Sequence, residues 1–424
     1  MIKFLLKGLI RDKSRSRLPI IVVALGVMLT VLLHAYLKGF MGEAIEMNAR
    51  FSYGHVKVMT RAYAENMNQT PNDMALLDAN DVLSDLEKRF PEMEWAQRIQ
   101  FGGLIDAPDE NGETKSQGPA FGIGLDMLSG KTVEPERLNL IKSVVRGKMP
   151  EKQGEVLISE LFSVKLKVDP GDRITLIGST MNGSMAIYNF TVAGTLSFGN
   201  EILDRGAVIA DIEDVRMALD MADATGEILG FFRSGFYNNE SALETAEKFN
   251  SANPSDSGEY VPVMKSLSQQ GSMGPYVDMS EYWVNYIAFV FIIAMSLVLW
   301  NAGLLGGLRR YGEIGIRLAM GEGKGHVYRT MIYESVMIGI AGSLIGTFFG
   351  LFFAWLIQKY GIDISGLMKG SSIMMPSVIR AQITTSAFFL GFIPGLASTV
   401  IGTMLSGIGI YKRQTARLFK ELEA

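Results

Sequence analysis

YGEIGIRLAMGEGKGHVYRTMIYESV, residues 311–336, sets carboxylates, guanidiniums and a histidine close together between two apolar runs. Side chains of these types could cradle a phosphate, hold a metal or pair with one another. The phosphate reading fails on spacing: GEGKG at 321–325 has no strand before it and does not fit G-x-x-x-x-G-K-[ST]. GLDMLSGKT at 124–132 comes nearer, but its first glycine lies one residue too far from Gly130-Lys131-Thr132, and no Walker B partner is evident. The metal reading fails on distribution, because His34, His55 and His326 fall in three separate regions. His34, near one end of an apolar run, reads as an interfacial residue. Neither G-x-S-x-G nor H-E-x-x-H occurs. The chain is expected to bind no metal and no cofactor of its own, and not to be an enzyme by itself.

Ion pairing remains, and the surrounding elements say where it would act. Of the 424 residues 48% are hydrophobic, and the excess sits in four runs without Asp, Glu, Lys or Arg: 18–37, 282–308, 335–358 and 381–411. Crossing a hydrocarbon core of roughly 30 Å takes about 20 helical residues, so each run is long enough. The expected fold is a membrane α-helical protein with four transmembrane helices, at 18–40, 282–308, 331–358 and 381–411. A large α+β extracytoplasmic domain, 41–281, lies between the first two. The first run is too long for a signal peptide and no A-x-A site follows it, so it reads as an uncleaved anchor.

Orientation follows from the basic residues at the span ends. Lys3, Lys7, Arg11, Lys13, Arg15 and Arg17 precede the first span; Arg309, Arg310, Arg317, Lys324 and Arg329 follow the second; Lys412, Arg413, Arg417 and Lys420 follow the last. These segments, 1–17, 309–330 and 412–424, are expected in the cytoplasm, with 41–281 and the short loop 359–380 outside. Ile2, Leu5, Leu6 and Leu9 give residues 1–17 the pattern of an amphipathic helix on the inner leaflet, and Pro19 suits the first turn of the span. The net charge of −4 mixes two environments, and nothing points to nucleic acid. With no cysteine in the sequence, no disulfide braces the outer domain.

Alternation predicts outer-domain strands at 55–59, 98–105, 119–125, 155–159, 172–178, 188–196 and 206–211. Helices are expected at 78–90, capped by Asp78 or Asn80, and at 159–166, 211–221 and 241–250. Ser251 to Ser280, rich in Ser, Gly, Pro and Gln, reads as the return path to the membrane. The Met-bearing stretches MKSLSQQGSMGPYVDM and LMKGSSIMMP lie beside the spans, where methionine could adapt to acyl chains, although it more often simply fills loops.

As a helix, 311–321 aligns Tyr311, Ile314 and Leu318 on one face, pairs Glu313 with Arg317 at i, i+4, and ends at Gly321, where a positive φ is required. Such an amphipathic piece needs either lipid or a partner for its apolar face. Gly342, Gly346 and Gly350, with Gly391 and Gly395, form small-residue stripes that bring helices close, within one subunit or between two. Pro394 should kink the last span. Four spans are few for enclosing a path, so a second copy or paralogue is expected.

RRYGEIGIRLAMGEGKGHVYRTMIYESVMIGIAGSLIGTFFG, 309–350, resembles the signature of FtsX-like permeases, R-R-x-x-E-I-G-x-x-R-A-x-G followed by a glycine-rich span with an acidic start. Arg309, Arg310, Glu313, Ile314, Gly315, Arg317, Gly321, Glu334, Gly342 and Gly346 carry the match. Leu318-Ala319-Met320 departs from the family's more usual Ala-Leu or Ala-Met before the glycine. The N-terminal FLLKGLIRDKSRSRLPIIVVALGVML, and GEVLISELFSVKLKVDPGDRITLIG with TVAGTLSFGN, are similar to MacB-type and lipoprotein-releasing (LolC- and LolE-like) members. The resemblance implies a permease in the bacterial inner membrane with a periplasmic domain at 41–281. It also implies a separate ABC ATPase, using ATP and Mg, docked on Tyr311, Glu313, Ile314, Gly315, Arg317, Leu318 and Gly321. The partners it implies are that ATPase, a second permease, membrane lipids, and a lipoprotein or other periplasmic or membrane substrate. MacB-like efflux, or an FtsX-like scaffold that activates a cell-wall hydrolase, are the alternative activities.

Overall fold

The computed structural model describes residues 13–198, 201–233, 235–252, 258–308, 311–363 and 378–412. The amphipathic helix expected at 1–17 therefore lies almost wholly outside the described residues, as do LMKGSSIMMP and most of the tail. The chain divides into two compact units: one of 1–43, 279–364 and 378–424, the other of 44–278 and 365–377.

The helical unit is built on α1 (Lys13–Asn48), α6 (Met273–Leu308), α7 (Tyr311–Ala319), α8 (Lys324–Tyr360) and α9 (Thr385–Lys412), of which α1 and α6 continue into the other unit. Four of these, all but α7, are long and apolar enough to cross a membrane. Pro19 lies inside α1, which is already helical at Lys13, so the expected first-turn position is corrected. Pro394 lies inside α9.

Glycine sets the contacts in this unit. A Cβ at Gly342 would stand 2.7 Å from Val23 Cβ, one at Gly346 2.8 Å from Val27 Cβ, and one at Gly350 2.9 Å from Val31 Cβ, so the α8 stripe lies directly on α1 of the same chain. A Cβ at Gly391 would stand 2.6 Å from Val31 Cγ2, and one at Gly395 2.5 Å from Val27 Cγ2. Val27 therefore fits between glycines of both α8 and α9. His34 is buried, with Nε2 3.5 Å from Ser386 Oγ of α9. Burial follows because α9 packs against α1 along this same face.

The second unit holds a ten-stranded mixed sheet in the order β10-β1-β9-β2-β3-β8-β5-β7-β4, with β6 paired to β2 and β7. The strands are β1 (Val56–Thr60), β2 (Met93–Pro108), β3 (Thr114–Leu125), β4 (Val144–Gly147), β5 (Glu155–Ser159), β6 (Arg173–Ser179), β7 (Met185–Leu196), β8 (Ala207–Asp211), β9 (Glu227–Phe232) and β10 (Pro262–Ser266). Pairing is antiparallel except β3 with β8 and β5 with β7. Helices α2 (Ala79–Arg89), α3 (Glu160–Leu166), α4 (Ile212–Leu219) and α5 (Asn239–Ala252) cover the sheet. Phe162 and Leu166 of α3 and Val215 and Leu219 of α4 share one core with Ile99, Ile158 and Val208, while Leu86 of α2 and Phe249 of α5 share another with Val58 and Ile228.

Two local expectations change. Asp78 adopts a left-handed conformation (φ 49°) and makes no cap hydrogen bond. Asp223, far away in sequence, does the capping: its Oδ1 accepts from Asn80 N at 3.3 Å and Nδ2 at 2.7 Å. The return path expected at 251–280 holds more regular structure than its Ser-, Gly- and Pro-rich composition suggests: it contains β10, a capping box from Ser266 to Gln269, and the first turns of α6.

The sheet also carries buried ion pairs. Arg98 Nε donates to Glu134 Oε2 at 2.7 Å, both side chains 1% exposed, and Arg137 reaches the same carboxylate. Burial alone would raise the Glu134 pKa, but the two guanidiniums more than reverse that and hold it below the ordinary carboxylate range. A depressed folded-state pKa gives stability that is complete above the unfolded value and is lost as pH falls through the folded one. Urea unfolding between about pH 3 and pH 6 should therefore show stability falling on the acid side, with a shallower fall in Glu134→Gln. Equal slopes in the two proteins would remove Glu134 from the acid response.

Candidate functional site: the joint between α7 and α8

Gly321 ends α7 with φ +91°. Glu322 N donates to Arg317 O at 3.1 Å and Gly321 N to Leu318 O at 3.1 Å, the paired bonds of a Schellman motif. An apolar contact commonly joins the two residues that bracket this motif. Here an ion pair does so: Arg317 Nε and Nη2 reach Glu322 Oε2 and Oε1 at 2.6 and 2.7 Å. These hydrogen bonds hold the Glu322 carboxyl below its usual pKa. His326 Nε2 stands 3.5 Å from the same carboxylate. The bidentate fork fixes the angle at which the chain turns back into α8.

The sequence expectation pairs Arg317 with Glu313; among the described side chains, both arms of the Arg317 fork go to Glu322, which the turn folds back toward it. The side chains of Tyr311 and Glu313 lie outside the described residues. Ile314 is 3% exposed and packs with Leu318 against Val327 and Met331 of α8. Gly315 is buried too. Of the face expected to await a partner, Ile314 is thus covered by its own chain and Leu318 partly so. On the opposite side Ile316 is 49% and Met320 74% exposed, one helical turn apart. Periodicity finds both faces, yet only the length of the following turn says which one folds back.

Elsewhere the chemistry remains dispersed. In the loop nearest to a phosphate cradle, Met127 N and Leu128 N donate to Asp211 Oδ2 at 3.0 and 3.1 Å. Ser129 N is taken by Asp126 Oδ1 at 3.1 Å, and Lys131 N by Ser129 Oγ at 3.1 Å. The amides of Met127, Leu128, Ser129 and Lys131 are thus already taken by side-chain oxygens of Asp211, Asp126 and Ser129. A cavity of about 920 Å³ opens beside it, bordered by α2, the start of β2 and α4. Its buried guanidiniums Arg137 and Arg216 are already paired with Glu134 and Glu213. Among the described residues no group of three or more His, Asp or Glu is placed to hold a metal.

Residues 285–415 match the family model for the FtsX-like permease C-terminal region. That match takes in most of α6 and all of α7, α8 and α9, with the joint between α7 and α8 inside it. The chain is similar to the macrolide export ATP-binding/permease protein MacB of Haemophilus ducreyi, 26% identical over 141 residues, which cover 33% of this chain and 17% of that one. It is also similar to the lipoprotein-releasing system transmembrane protein LolC of Xylella fastidiosa, 23% identical over 215 residues, 49% of this chain and 50% of the relative. The chain therefore spans at most half the length of these relatives. Among solved structures, the periplasmic region of MacB from Actinobacillus actinomycetemcomitans aligns with a TM-score of 0.34 at 12% identity, over 54% of this chain and 92% of that one. A domain of a putative permease from Porphyromonas gingivalis aligns at 0.31 and 14%, over 52% and 93%.

Proposed function

We propose that this chain is the permease subunit of an ABC-type assembly in the bacterial inner membrane. On this reading α1, α6, α8 and α9 cross the bilayer, both termini and α7 are cytoplasmic, and the sheet domain is periplasmic. A separate ATPase, using ATP and Mg, docks on α7, and its motion passes through the spans to the periplasmic domain. A second permease copy or a paralogue completes the assembly. The cargo is a lipoprotein released from the inner membrane toward the outer membrane. The observation that carries the reading is the family match over 285–415, which takes in α7 between two of the apolar helices.

Because Ile314 and Leu318 are spent on α8, the docking surface is the Ile316–Met320 face, and Arg317 and Glu322 hold that face at a fixed angle. Ile316→Asp with Met320→Asp should leave the protein folded but reduce capture of the ATPase at least about tenfold, as expected when apolar anchors are removed from the centre of an interface. Undiminished capture would return the docking role to other residues.

Efflux is the second reading, favoured by the similarity to MacB. Purification of the assembly, with identification of the proteins and lipids that co-elute, separates the two. Trapped acylated lipoprotein supports release, an adaptor with an outer-membrane duct supports efflux, and a cell-wall hydrolase supports the scaffold role.

A further inference from the structure

The last turns of α1 pass through a π-helical turn, Ala49–Tyr53, before the chain enters β1. Carbonyls at such an end lack intrahelical partners and must find others. Arg98, in the middle of the sheet on β2, supplies them: Nη1 donates to Phe51 O and Nη2 to Arg50 O, both at 2.7 Å. The third nitrogen, Nε, donates to Glu134 Oε2 at 2.7 Å. Gln270 Nε2 takes Tyr53 O at 3.1 Å. On the other side of the helix end, Glu46 accepts from His55 Nε2 at 2.8 Å and from Tyr237 N at 3.2 Å. His55 Nδ1 accepts from Phe232 N at 2.9 Å, so the ring proton sits on Nε2 and points at the carboxylate.

We propose that Arg98 is a positioning residue that locks the end of α1 onto the sheet, so that any displacement of these turns is passed to the sheet instead of being absorbed as a swivel. The apolar contacts around this end, Ile45 and Ala49 with Leu267, Met273 and Val277, are non-directional and would tolerate rotation. Three short bonds on one planar guanidinium fix distance and angle together. Replacing a buried ion pair by apolar residues is often neutral or stabilising, so stability alone gives no reason for an arginine here. The bonds also fall on main-chain carbonyls, which makes the lock independent of the side chains at 50 and 51. Measurement of the lock needs no ATPase, so it stands or falls separately from the function proposed above.

Hydrogen–deuterium exchange on the full chain in lipid nanodiscs tests it. Arg98→Lys keeps the charge but lacks the planar fork that directs separate nitrogens to Phe51 O, Arg50 O and Glu134. Amides of residues 49–55 should exchange at least about tenfold faster, while β3, β5 and β8 keep their protection, since local opening and global unfolding are separable in exchange. Unchanged exchange at 49–55, or an equal rise across the sheet, overturns the proposal. Should Arg98→Lys unfold the domain, Glu134→Gln, which keeps the shape and weakens the anchor, decides in its place. A rise confined to 49–55 supports the lock, and a uniform rise or none defeats it.

Discussion

Leucine in place of Gly346 should prevent the helical unit from assembling. The Cβ alone would come 2.8 Å from Val27 Cβ and 3.0 Å from Ala24 Cα. Backbone cannot rotate out of the way as a side-chain tip can, so α1 and α8 must separate. That separation also withdraws Val27 from Gly391 and Gly395 of α9, and one substitution is felt on three helices. Overpacking a close-fitted site costs about 1–3 kcal/mol and more when backbone must move. Ile345→Leu is the matched control, because Ile345 is 43% exposed one position away on the same helix. Thermal stability followed by size-exclusion chromatography in detergent should show loss of the monodisperse species for Gly346→Leu and none for Ile345→Leu. A wild-type profile for the glycine variant would mean that α8 does not bear on α1 at this level.

The second large effect concerns Lys57. Its ammonium is 2.8 Å from Glu227, with both side chains under 5% exposed, and it also faces the Tyr53 ring at 5.5 Å. Burial lowers the Lys57 pKa, and Glu227 opposes that shift without cancelling it. Removing the carboxylate leaves a buried cation uncompensated, at a cost of about 3–5 kcal/mol. Urea denaturation of Glu227→Ala should register that loss. The double variant Lys57→Met with Glu227→Met should recover most of it, since two apolar side chains of similar length remove the desolvation penalty together with the attraction. A double variant as unstable as the single one would show that the pair itself, not the stranded charge, supports the sheet.

What could be read from sequence divides along the same physical line. β5, at 155–159, comes out at its observed bounds because a Gly before it and a helix start after it punctuate the run. β9, EILGFF, is a short apolar stretch buried on both faces, which carries no alternation and cannot be told from a helix fragment. β10 hides in a polar segment because a strand of five residues at a sheet edge needs few apolar positions. At α7 the glycine stop and the amphipathic pattern were visible, and the neighbour was not. Pairing of Arg317 with Glu322 depends on a planar guanidinium meeting a carboxylate across a tight turn, a matter of geometry that helical spacing does not encode. Arg98 shows the same limit: its place at the start of an expected strand says nothing of the two carbonyls 47 and 48 positions away that receive it.

At the β10 end of the sheet, the side-chain amide of Asn250 closes both main-chain groups of Met264, donating to O at 2.8 Å and accepting from N at 2.9 Å. At the other end β4 spans four residues and is interrupted by a bulge between Val144 and Arg146. A growing fibril needs a long, flat rim on which the next strand can be templated. Capped at one end and cut short at the other, this sheet is a poor seed, and a large β-rich domain can be kept at high local density without recruiting its neighbours into aggregates.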